Sequence, residues 1–90
     1  MMPQETRCFQ LDFVKMTNDE KIIRLGLNIA LYRKMKGITQ AELAEKVNIS
    51  RTHMGNIEAP NMVKPISLEL AFDIADALEI SNIALYLANF

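Results

Sequence analysis

Residues 39–58, TQAELAEKVNISRTHMGNIE, constrain the fold more than any other stretch of this chain. Leu43, Ala44, Val47, Ile49, Met54 and Ile57 recur at helical spacing on either side of Asn48. The pattern predicts two short helices packed across a tight turn. Thr39 with Glu42 three residues later is a capping-box start for the first helix, and Ser50 caps the second. Asn48 stands at the turn, where Asn is the best residue after glycine for a positive φ. Ala44 sits where the two helices meet, and a larger side chain there would hold them apart.

The flanking sequence reads as more helix. Thr17 and Glu20 form another capping box, and the helix they start is predicted to run to about Lys36. Ile22, Ile29, Tyr32 and Met35 make up much of its apolar stripe. Its last turn, Arg33-Lys34-Met35-Lys36, is basic and suits the negative end of the helix dipole; Gly37 suits a left-handed terminus. Ala59-Pro60-Asn61 ends the helix that Ser50 starts. Ser67 caps a fourth helix that buries Leu70, Ala71, Ile74, Ala75 and Leu78. Ser81 caps a short last helix, with Ile83, Ala84, Leu85, Tyr86, Leu87 and Phe90 leaving it apolar on nearly every side. Near the N-terminus Phe9, Leu11 and Phe13 alternate with Gln10 and Asp12. That is the period of a short β-strand; the alternative is a helical turn with Phe9 and Phe13 on one face. The expectation is an all-α, compact five-helix domain over 17–90, with the helix-turn-helix at 39–58. An arm or strand over 1–16 precedes it.

With 90 residues there is room for one domain, and half of them are hydrophobic, enough for a core without disulfides. Cys8 is the single cysteine, so no internal disulfide can form. No apolar run reaches the roughly 20 residues of a membrane span, and residues 1–7 lack the apolar core of a signal peptide. A cytoplasmic protein is expected. The net charge of −1 hides an asymmetry. From Lys15 to Lys64 nine Lys/Arg face five Asp/Glu, whereas from Pro65 onward four acids (Glu69, Asp73, Asp76, Glu79) face no base. A basic front and acidic back would orient such a domain on a polyanion.

Once the packing residues are assigned, the helix starting at Ser50 has Arg51, Thr52, Gly55 and Asn56 left on its outer side, with His53 at the flank. One helical turn separates 51 and 52 from 55 and 56, so they share a face. Their chemistry fits base edges in a DNA major groove: Arg forks to guanine O6 and N7, Asn to adenine N6 and N7, and Thr meets a thymine methyl. Gly55 weakens a helix by up to about 1 kcal/mol relative to Ala and permits close backbone approach. Thr39 and Gln40, at the start of their helix, are candidates to meet a phosphate. Lys64 and the basic end of the first long helix are candidate anchors on the DNA backbone.

The segment from Leu25 to about Leu87 resembles the lambda-repressor/Cro-type (XRE-family) helix-turn-helix domain, a five-helix DNA-binding fold. The residues that carry the likeness are Gly26, Ile29, Arg33, Gly37-Ile38-Thr39-Gln40, Glu42-Leu43-Ala44, Val47, Ile49-Ser50, Ile57-Glu58, Pro65 and Ile74-Ala75-Asp76-Ala77-Leu78. The resemblance implies that Arg51, Thr52, Gly55 and Asn56 occupy base-reading positions and that Gln40 supports the interface. It also implies an ion pair between Arg33 and Glu58. The chain departs from the family pattern at Asn48, where Gly is common, and at Ala59-Pro60, where Gly usually follows the acid and the loop is one residue shorter. Gly55 replaces a side chain that often helps to read DNA.

Two functions follow from these residues. The first is a sequence-specific, repressor-like regulator on double-stranded DNA, dimerising through the Phe9–Phe13 segment, the last helix or both. The second is an interaction module, antitoxin-like, that keeps the fold but binds DNA weakly. An enzyme is not expected: His53 and Cys8 are alone of their kinds, and no metal-ligand spacing, phosphate loop or nucleophile–base pattern is present. No cofactor, metal or small-molecule ligand is implied.

Overall fold

In the computed structural model, which describes residues 16–81, Thr17 opens the first helix with a reciprocal cap. The Thr17 N–H donates to Glu20 Oε1 at 2.8 Å and the Glu20 N–H donates to Thr17 Oγ1 at 3.1 Å. Helix α1 then spans Asn18–Met35. Thr39 and Glu42 repeat the arrangement, at 2.8 and 3.0 Å, ahead of α2, Gln40–Lys46. Ser50 Oγ accepts from the His53 N–H at 3.0 Å to start α3, Arg51–Glu58. Ser67 Oγ accepts from the Leu70 N–H at 3.0 Å to start α4, Leu68–Leu78. Each hydroxyl satisfies a donor that the first helical turn leaves over.

Three of the four helices among the described residues end in the same way. The residue after the last turn takes a left-handed conformation: Gly37 at φ 73°, Asn48 at φ 63° and Glu79 at φ 58°. The next residue is an isoleucine whose N–H reaches back to close the helix. Ile38 donates to the Arg33 carbonyl, Ile49 to that of Ala44 and Ile80 to that of Ala75. This is the Schellman closure. Ile38, Ile49 and Ile80 all pack against the core.

The core draws on every helix. Ile29, Leu43, Met54, Ile74, Ala75 and Leu78 are completely buried, and Ala44, Val47, Ile57 and Ala71 nearly so. α3 packs most closely on α2 and next on α1, and α4 touches both α1 and α2. Gly26 sets the crossing of α1 and α3: a β-carbon built there would meet the Ile57 carbonyl oxygen at 1.9 Å. Only glycine lets the two backbones approach this closely.

Met35 departs from the expected stripe of α1, being 70% exposed. Six residues after the fully buried Ile29, Met35 is turned about 120° away from it around the helix. Arg33, one turn past Ile29, is buried instead. Among the described residues there are four helices and no strand, and they correspond to the first four of the five helices expected from the sequence. The expected Phe9–Phe13 strand and the helix after Ser81 lie outside those residues. None of the described helices is long and apolar enough to cross a membrane.

Candidate nucleic-acid interface

α3 is divided lengthwise. Met54 and Ile57, with 0% and 4% exposure, point into the core, and Glu58 is 6% exposed. Arg51 and Thr52 are exposed, whereas His53, Gly55 and Asn56 are half-buried. The division arises because α3 lies across α1 and α2 at once, so little more than its N-terminal turn stands fully free. Gly55 is therefore less open than a residue on an outermost face. Its backbone has no positive φ, and a β-carbon there would find Gln40 Oε1 at 3.6 Å, an ordinary contact. Among the described residues nothing requires glycine at this position.

Behind the outer face lies a closed polar network. Arg33 Nε donates to Glu58 Oε2 and Arg33 Nη2 to Glu58 Oε1, both at 2.9 Å. The third guanidinium nitrogen, Nη1, donates to the Ile38 carbonyl at 2.8 Å. Gln40 Nε2 donates to Glu58 Oε1 at 3.0 Å. The two-point ion pair thus ties the C-terminal ends of α1 and α3, and Gln40 adds the start of α2. Each charge is matched and hydrogen-bonded, the condition under which burying it is tolerable.

The neutralised Arg33 adds little field outside, so the positive potential here rests on exposed side chains. Lys34, Gly37, Ile38, Thr39, Gln40, Ala41 and Arg51 line one shallow open groove together with Arg33. Lys34 and Arg51 are its exposed cations, and the N-terminus of α2 opens onto it. Glu42, at that N-terminus, is held below the usual carboxylate range by the N–H of Thr39 and by the Thr39 hydroxyl. Glu20 is lowered in the same way by Thr17.

Thr39, Gln40 and Arg51 are thus brought together along one groove. Thr52, Gly55 and Asn56 continue along α3, and Gln40 bridges the two groups through its approach to Gly55. Ser50 is occupied in capping α3. Lys64 borders a different, mainly apolar groove of about 170 Å³, with Ile22, Leu25, Gly26, Ile57, Pro65 and Ile66. Sequence reasoning missed the bond from Arg33 to the Ile38 carbonyl and the one from Gln40 to Glu58, because neither has a local pattern. Gly26 did carry a signal, a glycine inside a helix, but its cause is a tertiary crossing. Among the described residues no three His, Cys, Asp or Glu side chains are grouped to hold a metal ion.

A short helix packed closely on its partner, with its first turn exposed beside a groove that carries Lys34 and Arg51, defines a helix-turn-helix protein. Residues 29–81 match the helix-turn-helix family model, and the chain belongs to that family, in its XRE/Cro-type branch of DNA-binding regulators. Among solved structures it is similar to the clp gene regulator ClgR from C. glutamicum, at 30% identity and a TM-score of 0.64, covering 70% of this chain and 79% of that one. It is also similar to the hypothetical transcription factor NHTF from Neisseria, at 27% identity and a TM-score of 0.67, covering 81% and 83%. No curated protein matches the sequence.

Proposed function

We propose that this chain is a sequence-specific, repressor-like transcription regulator that places α3 in the major groove of double-stranded DNA. The observation that carries the proposal is the division of α3: Met54, Ile57 and Glu58 are committed to the fold, and Arg51 and Thr52 are left free beside a groove with Lys34 and Arg51 as exposed cations. Arg51 forks to guanine, Thr52 meets a thymine methyl and Asn56 pairs with adenine. Thr39 and Lys34 meet phosphates on one side; Ser50, His53 and Lys64 are secondary contacts to the backbone. Both similar structures are of transcription regulators by their descriptions, one of a clp gene regulator. A DNA ligand makes the cytoplasm the site of action.

The proposed active species is a homodimer. One module reads a few base pairs, and a second half-site about 34 Å away supplies the remaining affinity and the symmetry of the operator. The segment around Phe9–Phe13 and the residues after Ser81 are the proposed dimer surfaces. A solution mass of one chain at micromolar concentration, measured by light scattering, would count against the dimer.

An interaction module remains the second reading. It is favoured by the outer side of α4, where Leu68 and Phe72 are 62% and 41% exposed among Glu69, Asp73 and Asp76. Electrophoretic shifts on random and selected DNA at several salt concentrations separate the two. The regulator binds a selected sequence, and Arg51→Ala abolishes the preference. No shift even at low salt would leave only the interaction module.

A further inference from the structure

A carboxylate can only accept hydrogen bonds, and this fixes one feature of the groove. Gln40 stands 3.0 Å from Glu58 Oε1, so the end of its amide that faces Glu58 must be the NH2 group. The carbonyl end, Oε1, is thereby turned the other way. It lies beside Gly55, 3.6 Å from where a β-carbon would stand. Gly55 carries no side chain to cover it, and both residues are half-buried. Glu58 is itself locked by two bonds from Arg33, so the amide is anchored to a rigid group.

We infer that Gln40 is a specificity-determining residue whose carbonyl oxygen, presented over the bare Gly55, accepts a hydrogen bond from a base amino group. The inference rests on the DNA-binding role proposed above. It departs from the expectation that Gln40 serves as a contact to phosphate. A phosphate oxygen is an acceptor and cannot pair with Oε1, so this end of the amide is matched to a donor. In the major groove the base donors are the N6 amino group of adenine and the N4 amino group of cytosine. Gln40 then supplies from α2 the side-chain contact that position 55 lacks on α3. Gly55 acts as a positioning residue: its missing side chain keeps the path from Oε1 to the base edge open. Gln40 and Gly55 should therefore govern the same base pair.

Selection of bound sequences from a randomised duplex pool tests this, using the full chain and the variants Gln40→Met and Gly55→Leu. Met keeps the length of Gln40 but removes the carbonyl; Leu leaves Gln40 in place but covers Oε1. Both variants should lose the preference for adenine or cytosine at one shared position of the half-site by about five-fold or more, with the other positions retained. Thermal melting of each variant shows that the fold is kept. Should Gln40→Met fail to fold, Gly55→Leu alone decides, by whether one adenine or cytosine preference disappears. A sequence preference that stays intact at every position in the folded variants, with affinity lowered uniformly, would overturn the inference and return Gln40 to the phosphate backbone. Loss at two different positions would overturn it as well. If the unmodified chain enriches no sequence at all, the DNA-binding role itself fails, an outcome distinct from both.

Discussion

Glu58 accepts three hydrogen bonds, two from Arg33 and one from Gln40, in a site where it is 6% exposed. Removing it strands a buried guanidinium. Glu58→Ala should therefore destabilise the fold by about 3–5 kcal/mol in urea titration, several times the cost of losing an exposed pair. Gly55 gives the opposite expectation. Since an alanine β-carbon fits there without strain, Gly55→Ala should raise stability by up to about 1 kcal/mol while weakening binding to a selected operator. A gain in stability with unchanged affinity would show that the bare position serves no ligand. At this scale the sequence was readable where a residue announces a local need, as Asn48 does with its positive φ. It was silent where the need is tertiary: the Gln40–Glu58 bond joins residues 18 apart.

The helices depend on their ends more than on their lengths. α2 and α3 have 7 and 8 residues, too short to persist alone in water. Their caps were legible because Thr-x-x-Glu and a lone Ser before an apolar run are sequence patterns. The left-handed closure of α4 was not, because it falls on Glu79, which has no preference for that conformation. Glu79→Gly should relieve this strain and raise stability by about 0.5–1 kcal/mol in thermal melting; the exposed contact to Lys36, at 4.0 Å, contributes little to offset it. The two capping carboxylates give a pH dependence. Glu20 and Glu42 both titrate below their ordinary value of 4.5 in the folded chain. The folded state then binds fewer protons than the unfolded one, so this stability is present above pH 4.5 and is lost as the pH falls through the lowered values. A Glu20→Gln, Glu42→Gln double variant should lose less stability between pH 5 and pH 3 than the unmodified chain, as followed by urea titration at each pH.

Across the whole chain charge is partitioned, with a basic surplus up to Lys64 and only acids after it. The exposed Lys34 and Arg51 fall on one groove, and Asp73 and Asp76 line another with Lys46, Val47, Asn48 and Ala77. This polarity should make operator affinity fall steeply with salt. Lys34→Ala should lower affinity for all sequences alike and reduce the slope of log K against log salt by about one. A slope unchanged by that substitution would remove Lys34 from the phosphate contacts. The helical order up to Leu78 was legible from periodicity and caps, whereas the extra exposure of Met35 was not. The buried place one turn past Ile29 goes to Arg33, whose pairing with Glu58 joins residues 25 apart and is not encoded in the pattern within α1.

The crossing at Gly26 has a consequence for how such a protein can change over generations. Because main-chain atoms of α1 and α3 meet there directly, no side chain sets the distance between the two helices at that point. Residues 51, 52 and 56 take no part in that approach, so they can be exchanged without disturbing it. Position 26 has to stay glycine while the outer positions change.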